Sequence, residues 1–234
     1  MRIHLLDTVR GLRRLVLGLG TAAVTLGAVG CSDILDAELP GRIPTDLLSD
    51  PGTAGTLAAS VVADFECAYG NYVLSTASLS DQFLGASGNL NARNWGTKNI
   101  PETDLANEQT GCGGFYGAYT PLQTARYQGK DVLARLQGWT DEEAGQPLAP
   151  LIAQVATYGA YTYVYLGEGY CAMRFDEGPI LQPNEVLAIG EEKFTEALGL
   201  INALPAGNAR TELLNLAYTG RARIRLDLGN KAGA

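Results

Sequence analysis

Apolar positions in this chain form one continuous run near its start and, further on, a series of stretches spaced every three to four residues. Residues 15–28 make up the continuous run. It follows Arg2, Arg10, Arg13 and Arg14 and closes on the small residues Ala28-Val29-Gly30, directly before Cys31. A basic start, a short apolar middle and a small-residue end are the layout of a secretory leader. The run is shorter than the ~20 residues a spanning helix needs.

The later stretches predict helices. Asp50 as N-cap and Pro51 in the first turn open a helix through Leu57, Val61, Val62 and Phe65, continuing past Gly70 to Phe83. A second runs from Tyr116 through Leu122, Val132 and Leu136 to a stop at Gly138. The third, residues 148–166, is apolar on nearly all sides, with no charged residue between Gly145 and Gly167. Its Gln154, Thr157, Thr162 and four tyrosines argue for burial between neighbouring helices rather than in a bilayer. Asn184 caps a fourth helix, with Phe194, Ala197, Leu198 and Ile201 on one face, and a fifth covers residues 211–228. No segment alternates with period two, so the chain reads as all-α. Ala160, Leu166 and Gly167 recur as Ala222, Leu228 and Gly229, a spacing of 62 (222 less 160). That favours stacked helical hairpins, each closed by a Leu-Gly C-cap, over a closed bundle.

Between the first two helices, residues 85–114 hold seven glycines or prolines, five asparagines and Trp95. Long loops of this kind are uncommon in compact domains and are often functional. Asn89, Asn91, Arg93, Asn94 and Trp95 form one short run there. A flat ring beside amide and guanidinium donors is what a pyranose surface needs. The competing reading is that Trp95 packs the loop onto the helices. Trp139 follows a helix-ending glycine and reads as a cap contact. Asp141-Glu142-Glu143 reads as a solvated helix start. Arg221, Arg223 and Arg225 are expected to pair with the helix dipole or to dock a further domain.

Composition narrows the function classes. Residues 1–30 carry four of the 17 basic and one of the 25 acidic side chains, so the remainder has 13 positive and 24 negative, a net of -11. A surface this acidic repels phosphate backbones and anionic lipid, so nucleic acid is a poor partner and the membrane tether must be acyl chains. The single histidine, His4, lies in the leader. Without it, histidine general bases, Ser-His-Asp sites and most catalytic zinc sites are excluded. No cofactor or metal motif appears. A carboxylate-based glycosidase remains conceivable and would need two acids about 5–10 Å apart.

A cysteine directly after the leader is what lipoprotein processing requires, since the thiol accepts diacylglycerol before cleavage. Cys31 is therefore assigned as the lipid-attachment residue, against an ordinary leader with an incidental cysteine. Residues 31–49, broken by Pro40, Gly41 and Pro44, read as a tether. Cys67, Cys112 and Cys171 permit one disulfide in an exported protein. Cys67–Cys112 is the favoured pair, with Cys171 a buried free thiol and the other pairings open.

Several segments, taken in order, carry a resemblance. Cys31-Ser32-Asp33-Ile34-Leu35-Asp36 with Pro40 and Ile43 resembles the mature start of SusD/RagB-family nutrient-uptake lipoproteins. Ser80-Asp81 is similar to that family's Ser-Asp-Glu pattern, with Gln82 in place of the acid. The stretch from Tyr119 to Arg126 resembles its helix with a Leu-x-x-Ala-Arg core. Leu166-Gly167-Glu168-Gly169-Tyr170-Cys171 resembles its Leu-Gly-Glu-x-Phe-Cys segment. The stretch from Gly190 to Ala197 resembles its Ala-x-x-x-Phe-x-x-Ala helix, with Gly190 for the first alanine.

The resemblance implies an all-α domain over residues 50–234, built of tetratricopeptide-like hairpins (an α-α superhelix) and truncated before a C-terminal part. It also implies a non-enzymatic protein, lipid-anchored and surface-exposed at the outer membrane. Such a protein sits on a SusC-like TonB-dependent transporter and binds glycan or peptide ligands for import. The early loop of glycan-binding members contributes to the ligand site, which makes Asn91, Arg93, Asn94 and Trp95 the candidate ligand contacts. The alternative is a repeat scaffold lipoprotein that holds protein partners in the cell envelope.

Overall fold

A helix without charge over residues 149–166 needs apolar neighbours on most of its circumference, and this one has them. In the computed structural model, which describes residues 45–86, 88, 90–100 and 117–234, that helix packs against four others. The expected leader, Cys31, most of the expected tether, Asn89 and Cys112 lie outside the described residues.

Seven α-helices occur among the described residues: α1 Ala54–Leu79, α2 Leu90–Gly96, α3 Tyr119–Gly138, α4 Asp141–Ala144, α5 Ala149–Gly169, α6 Pro183–Asn202 and α7 Asn208–Asp227. The one sheet among them is a two-residue hairpin, β1 Met173–Arg174 antiparallel to β2 Ile180–Leu181. The protein is therefore mostly helical, as its periodicity predicts.

α5 is the centre of the packing. It contacts α1, α3, α6 and α7, and its Ala153, Val155, Ala160, Val164 and Leu166 are buried. Its buried threonines satisfy their hydroxyls within the helix: Thr157 Oγ1 donates to the Ala153 carbonyl at 2.7 Å and Thr162 Oγ1 to that of Gly159 at 2.6 Å. Neither hydroxyl is stranded, which lowers the cost of enclosing the helix. α1 offers Leu57, Val61, Phe65 and Ala68, and α3 offers Leu122, Ala125, Val132 and Leu136. α6 and α7 continue the core through Phe194, Leu198, Ile201, Ala217 and Ile224.

Small residues set the helix spacing. A Cβ on Gly129 of α3 would lie 3.1 Å from the Gly159 Cα of α5, so these two backbones approach closely. A Cβ on Gly190 would meet Ile224 Cδ1 at 2.7 Å and Tyr163 Cβ at 2.9 Å, which explains glycine there instead of alanine.

Several boundaries differ from the sequence reading. The first helix begins as a 3-10 turn, Pro51–Thr53, with Asp50 accepting from the Gly52 amide, and it ends at Leu79 rather than Phe83. Asp81, at φ 62°, turns the chain away and leaves Phe83 exposed. The end of the segment expected to be a tether is structured: Thr45–Ser49 is a 3-10 turn, and the Leu48 carbonyl accepts from Arg135 at 3.1 Å. Gln182, not Asn184, caps α6. Pro183 lacks an amide proton and so takes the first helical position, while Glu185 reaches back to the Gln182 amide at 2.7 Å. Of the paired Leu-Gly ends, Gly229 terminates α7 at φ 80°, but Gly167 lies inside α5. There its missing side chain admits Leu187, whose Cγ would stand 2.7 Å from an added Cβ. Trp139 is the C-cap of α3, and Thr140 with Glu143 forms a capping box at the solvated start of α4.

Candidate functional site

The asparagine-rich segment is not wholly loop. Residues 90–96 form α2, and the helix period decides which side chains face the body. Trp95 and Ala92 turn inward onto Leu74, Leu79 and Ile100, and Trp95 is only 6% exposed. Arg93 points to solvent and Asn94 is half-buried, while the side chain of Asn91 lies outside the described residues. Lys98, at φ 59°, pairs with Asp81 at 2.5 Å and pins the segment to the end of α1.

Where this segment meets α1 and the end of α5, a cavity of about 240 Å³ opens. Its aromatic walls are Tyr72, Trp95 and Tyr170, with Thr76, Leu79 and Ile100 between them. Trp95 thus both packs the segment and lines the cavity. Its Nε1 is buried and has no hydrogen-bond partner among the described residues.

Behind the cavity is an ionic cluster. Glu168, 16% exposed, receives Arg223 Nε at 2.5 Å and Nη2 at 2.6 Å, and the Tyr72 hydroxyl at 3.1 Å. Arg223 also lies 5.1 Å from the ring centroid of Tyr165. Burial first, then the charge and hydrogen bond of Glu168, push the Tyr72 hydroxyl far above its usual range. Asp227 completes the cluster. Desolvation, then a hydrogen bond and the negative charge of Glu168, raise its carboxyl to about 6 against the pull of Arg223.

A second polar centre lies at the start of α3. Arg126, 5% exposed, donates through Nη2 to Asp176 Oδ1 at 2.9 Å and through Nε to Gln123 Oε1 at 3.0 Å. Lys130 takes the other Asp176 oxygen at 2.8 Å, and the Arg126 guanidinium sits 4.6 Å from the centroid of Phe175. Asp176 occupies the tip of the β1–β2 hairpin at φ 52°, a conformation aspartate tolerates in turns. Hydrogen bonds from Lys130 and Arg126 lower its carboxyl to about 2.

Comparison with protein-family models, curated proteins and solved structures finds no match to this chain.

Arg223 and Arg225, expected at the helix dipole or a domain junction, are held by Glu168 of α5 and Glu191 of α6, while Arg221 lies over Tyr218. Cys67 is disulfide-bonded, and Cys112, its expected partner, lies outside the described residues. Cys171 is free as expected but exposed, not buried. The chain leaves α5 in extended conformation at Tyr170, which carries the next residue out of the core. Among the described residues, no group of three histidine, cysteine or acidic side chains could hold a metal ion, and no helix is long and apolar enough to cross a membrane. Sequence reasoning did not single out Tyr72 or Arg126 as site residues. Arg126 did leave a signal, a cation on the face that otherwise reads Leu122, Ala125, Gly129 and Val132.

Proposed function

We propose that this chain is a substrate-capture lipoprotein. It is anchored in the outer membrane through Cys31 and binds oligosaccharides or other nutrients for a SusC-like TonB-dependent transporter. One observation carries the reading: the aromatic cavity of Tyr72, Trp95 and Tyr170, whose indole N–H has no partner among the described residues, beside a helix bearing Asn91, Arg93 and Asn94. Flat rings suit the CH face of a sugar, and the indole N–H together with nearby amide and guanidinium groups suits its hydroxyls. The order of the family-like segments adds support, because their residues carry the framework: Leu122, Ala125, Leu166, Phe194 and Ala197 are all in the core. On this reading, the long helices α3, α5, α6 and α7 form tetratricopeptide-like hairpins, and the protein binds without cleaving.

Calorimetry against a panel of neutral oligosaccharides tests the site. Trp95→Phe keeps the ring packing and removes the donor, and Arg93→Ala leaves the core untouched. A glycan that binds the wild type should bind each variant roughly fivefold or more weakly. Equal affinity in all three proteins would sink the assignment. Co-purification of the lipidated chain should also recover a barrel transporter.

A second reading is a scaffold lipoprotein of the envelope. The observation in its favour is the outer face of α7, which exposes Tyr218 and Leu226. Recovery of a periplasmic assembly factor and no barrel would favour it.

A further inference from the structure

A second cavity, lined by different residues, lies between α3, α5, α6 and the β1–β2 hairpin. Its volume is about 420 Å³, within the range of small-molecule sites. Leu133, Val155, Ile189 and Phe175 supply apolar walls, and the close crossing at Gly129 and Gly159 forms part of the lining. Small side chains at Ala134, Ala156 and Ala160 leave the space unfilled.

Its charge runs against that of the molecule. Residues 31–234 have 24 acidic and 13 basic side chains, yet this lining holds Arg126, Lys130 and Lys193 against the single carboxylate of Asp176. Asp176 is shared by Arg126 at 2.9 Å and Lys130 at 2.8 Å, so two cations divide one negative charge. Among the described residues, Lys193 is held by a surface pair with Glu196 at 2.8 Å, a contact worth little in water. With Glu196 counted, three cations face two carboxylates, so an incoming anion meets one positive charge in excess over an apolar pocket. A neutral sugar would gain nothing from that charge, and a polyanion would be repelled by the rest of the surface.

We propose that this cavity is a binding site for a small amphipathic carboxylate, its anionic end on Lys130 and Lys193 and its apolar body against Leu133, Ile189 and Phe175. The Arg126–Asp176 pair holds the hairpin wall in place and is a positioning element, not a ligand contact.

Phenylbutyrate and its uncharged counterpart phenylbutanol are suitable probes, titrated into the full chain by calorimetry and by saturation-transfer NMR. Phenylbutyrate should bind saturably and at least about tenfold more tightly than phenylbutanol. Lys130→Gln should weaken it roughly three- to fivefold. Ala134→Phe, an exposed position whose new ring would fill the mouth, should abolish binding while the helical circular dichroism and melting temperature stay unchanged. The proposal is overturned by absence of saturable binding to the wild type, by equal affinity for acid and alcohol, or by full binding in the folded Ala134→Phe variant.

Discussion

Two carboxylates illustrate how neighbours, not residue type, set chemistry at the scale of single side chains. Asp176 is held low because two cations donate to it, so its contribution to stability is present above the ordinary carboxylate range and lost as pH falls through about 2. Asp227 behaves oppositely. Its folded-state value, about 6, stands above the ordinary 3.8, so its contribution is fully present below 3.8 and lost as pH rises through about 6. Asp227→Asn removes the charge that Glu168 opposes. The variant should match the wild type in urea unfolding near pH 4 and exceed it near pH 8, by less than about 1 kcal/mol because the site is solvent-screened. A variant less stable than the wild type at the higher pH would contradict the repulsion between the two acids.

Among the helices, glycine has opposite meanings depending on what faces it. A Cβ on Gly220 of α7 would overlap Phe194 Cζ and come within 2.6 Å of its Cε1, while one on Gly70 of α1 would meet nothing within 4 Å. Gly220→Ala should therefore cost roughly 1–3 kcal/mol through overpacking. Gly70→Ala should stabilise by about 1 kcal/mol through helix propensity alone. Thermal denaturation of the two variants would measure both; shifts of the same sign would refute the close approach of α7 to α6. The Phe194 ring that fills the Gly220 gap also meets Tyr161 edge-on at 5.0 Å, so this junction ties α5, α6 and α7 together.

Across the whole molecule, the cysteines report where the chain is closed and where it is open. Cys171 is free and exposed, whereas Cys67 is already bonded. Peptide mapping after iodoacetamide treatment of the folded protein should find Cys171 alkylated, and Cys67 alkylated only after reduction and unfolding. Labelling of Cys67 without reductant would remove the disulfide from the description of α1.

The helices, and the burial of α5 between others, were legible along the chain because an apolar period of 3.6 and the absence of charge over residues 146–166 leave few alternatives. The acidic balance and the absence of histidine after His4 were equally plain, being properties of composition. What surrounds each side chain was not legible. That Gly167 admits Leu187 instead of ending a helix, or that Gln182 takes the cap before Pro183, depends on neighbours or on competition between adjacent caps. Trp95 could be read as a ligand contact or as packing from its sequence context. The turn of α2 places it on Leu74 and Leu79 and in the wall of a cavity at once. The pairing of Arg126 with Asp176 and of Arg223 with Glu168 spans separations of 50 and 55 residues. Local spacing governs which residues share a helix face, but only helix-on-helix packing brings such distant charges together, and both cavities are products of that packing.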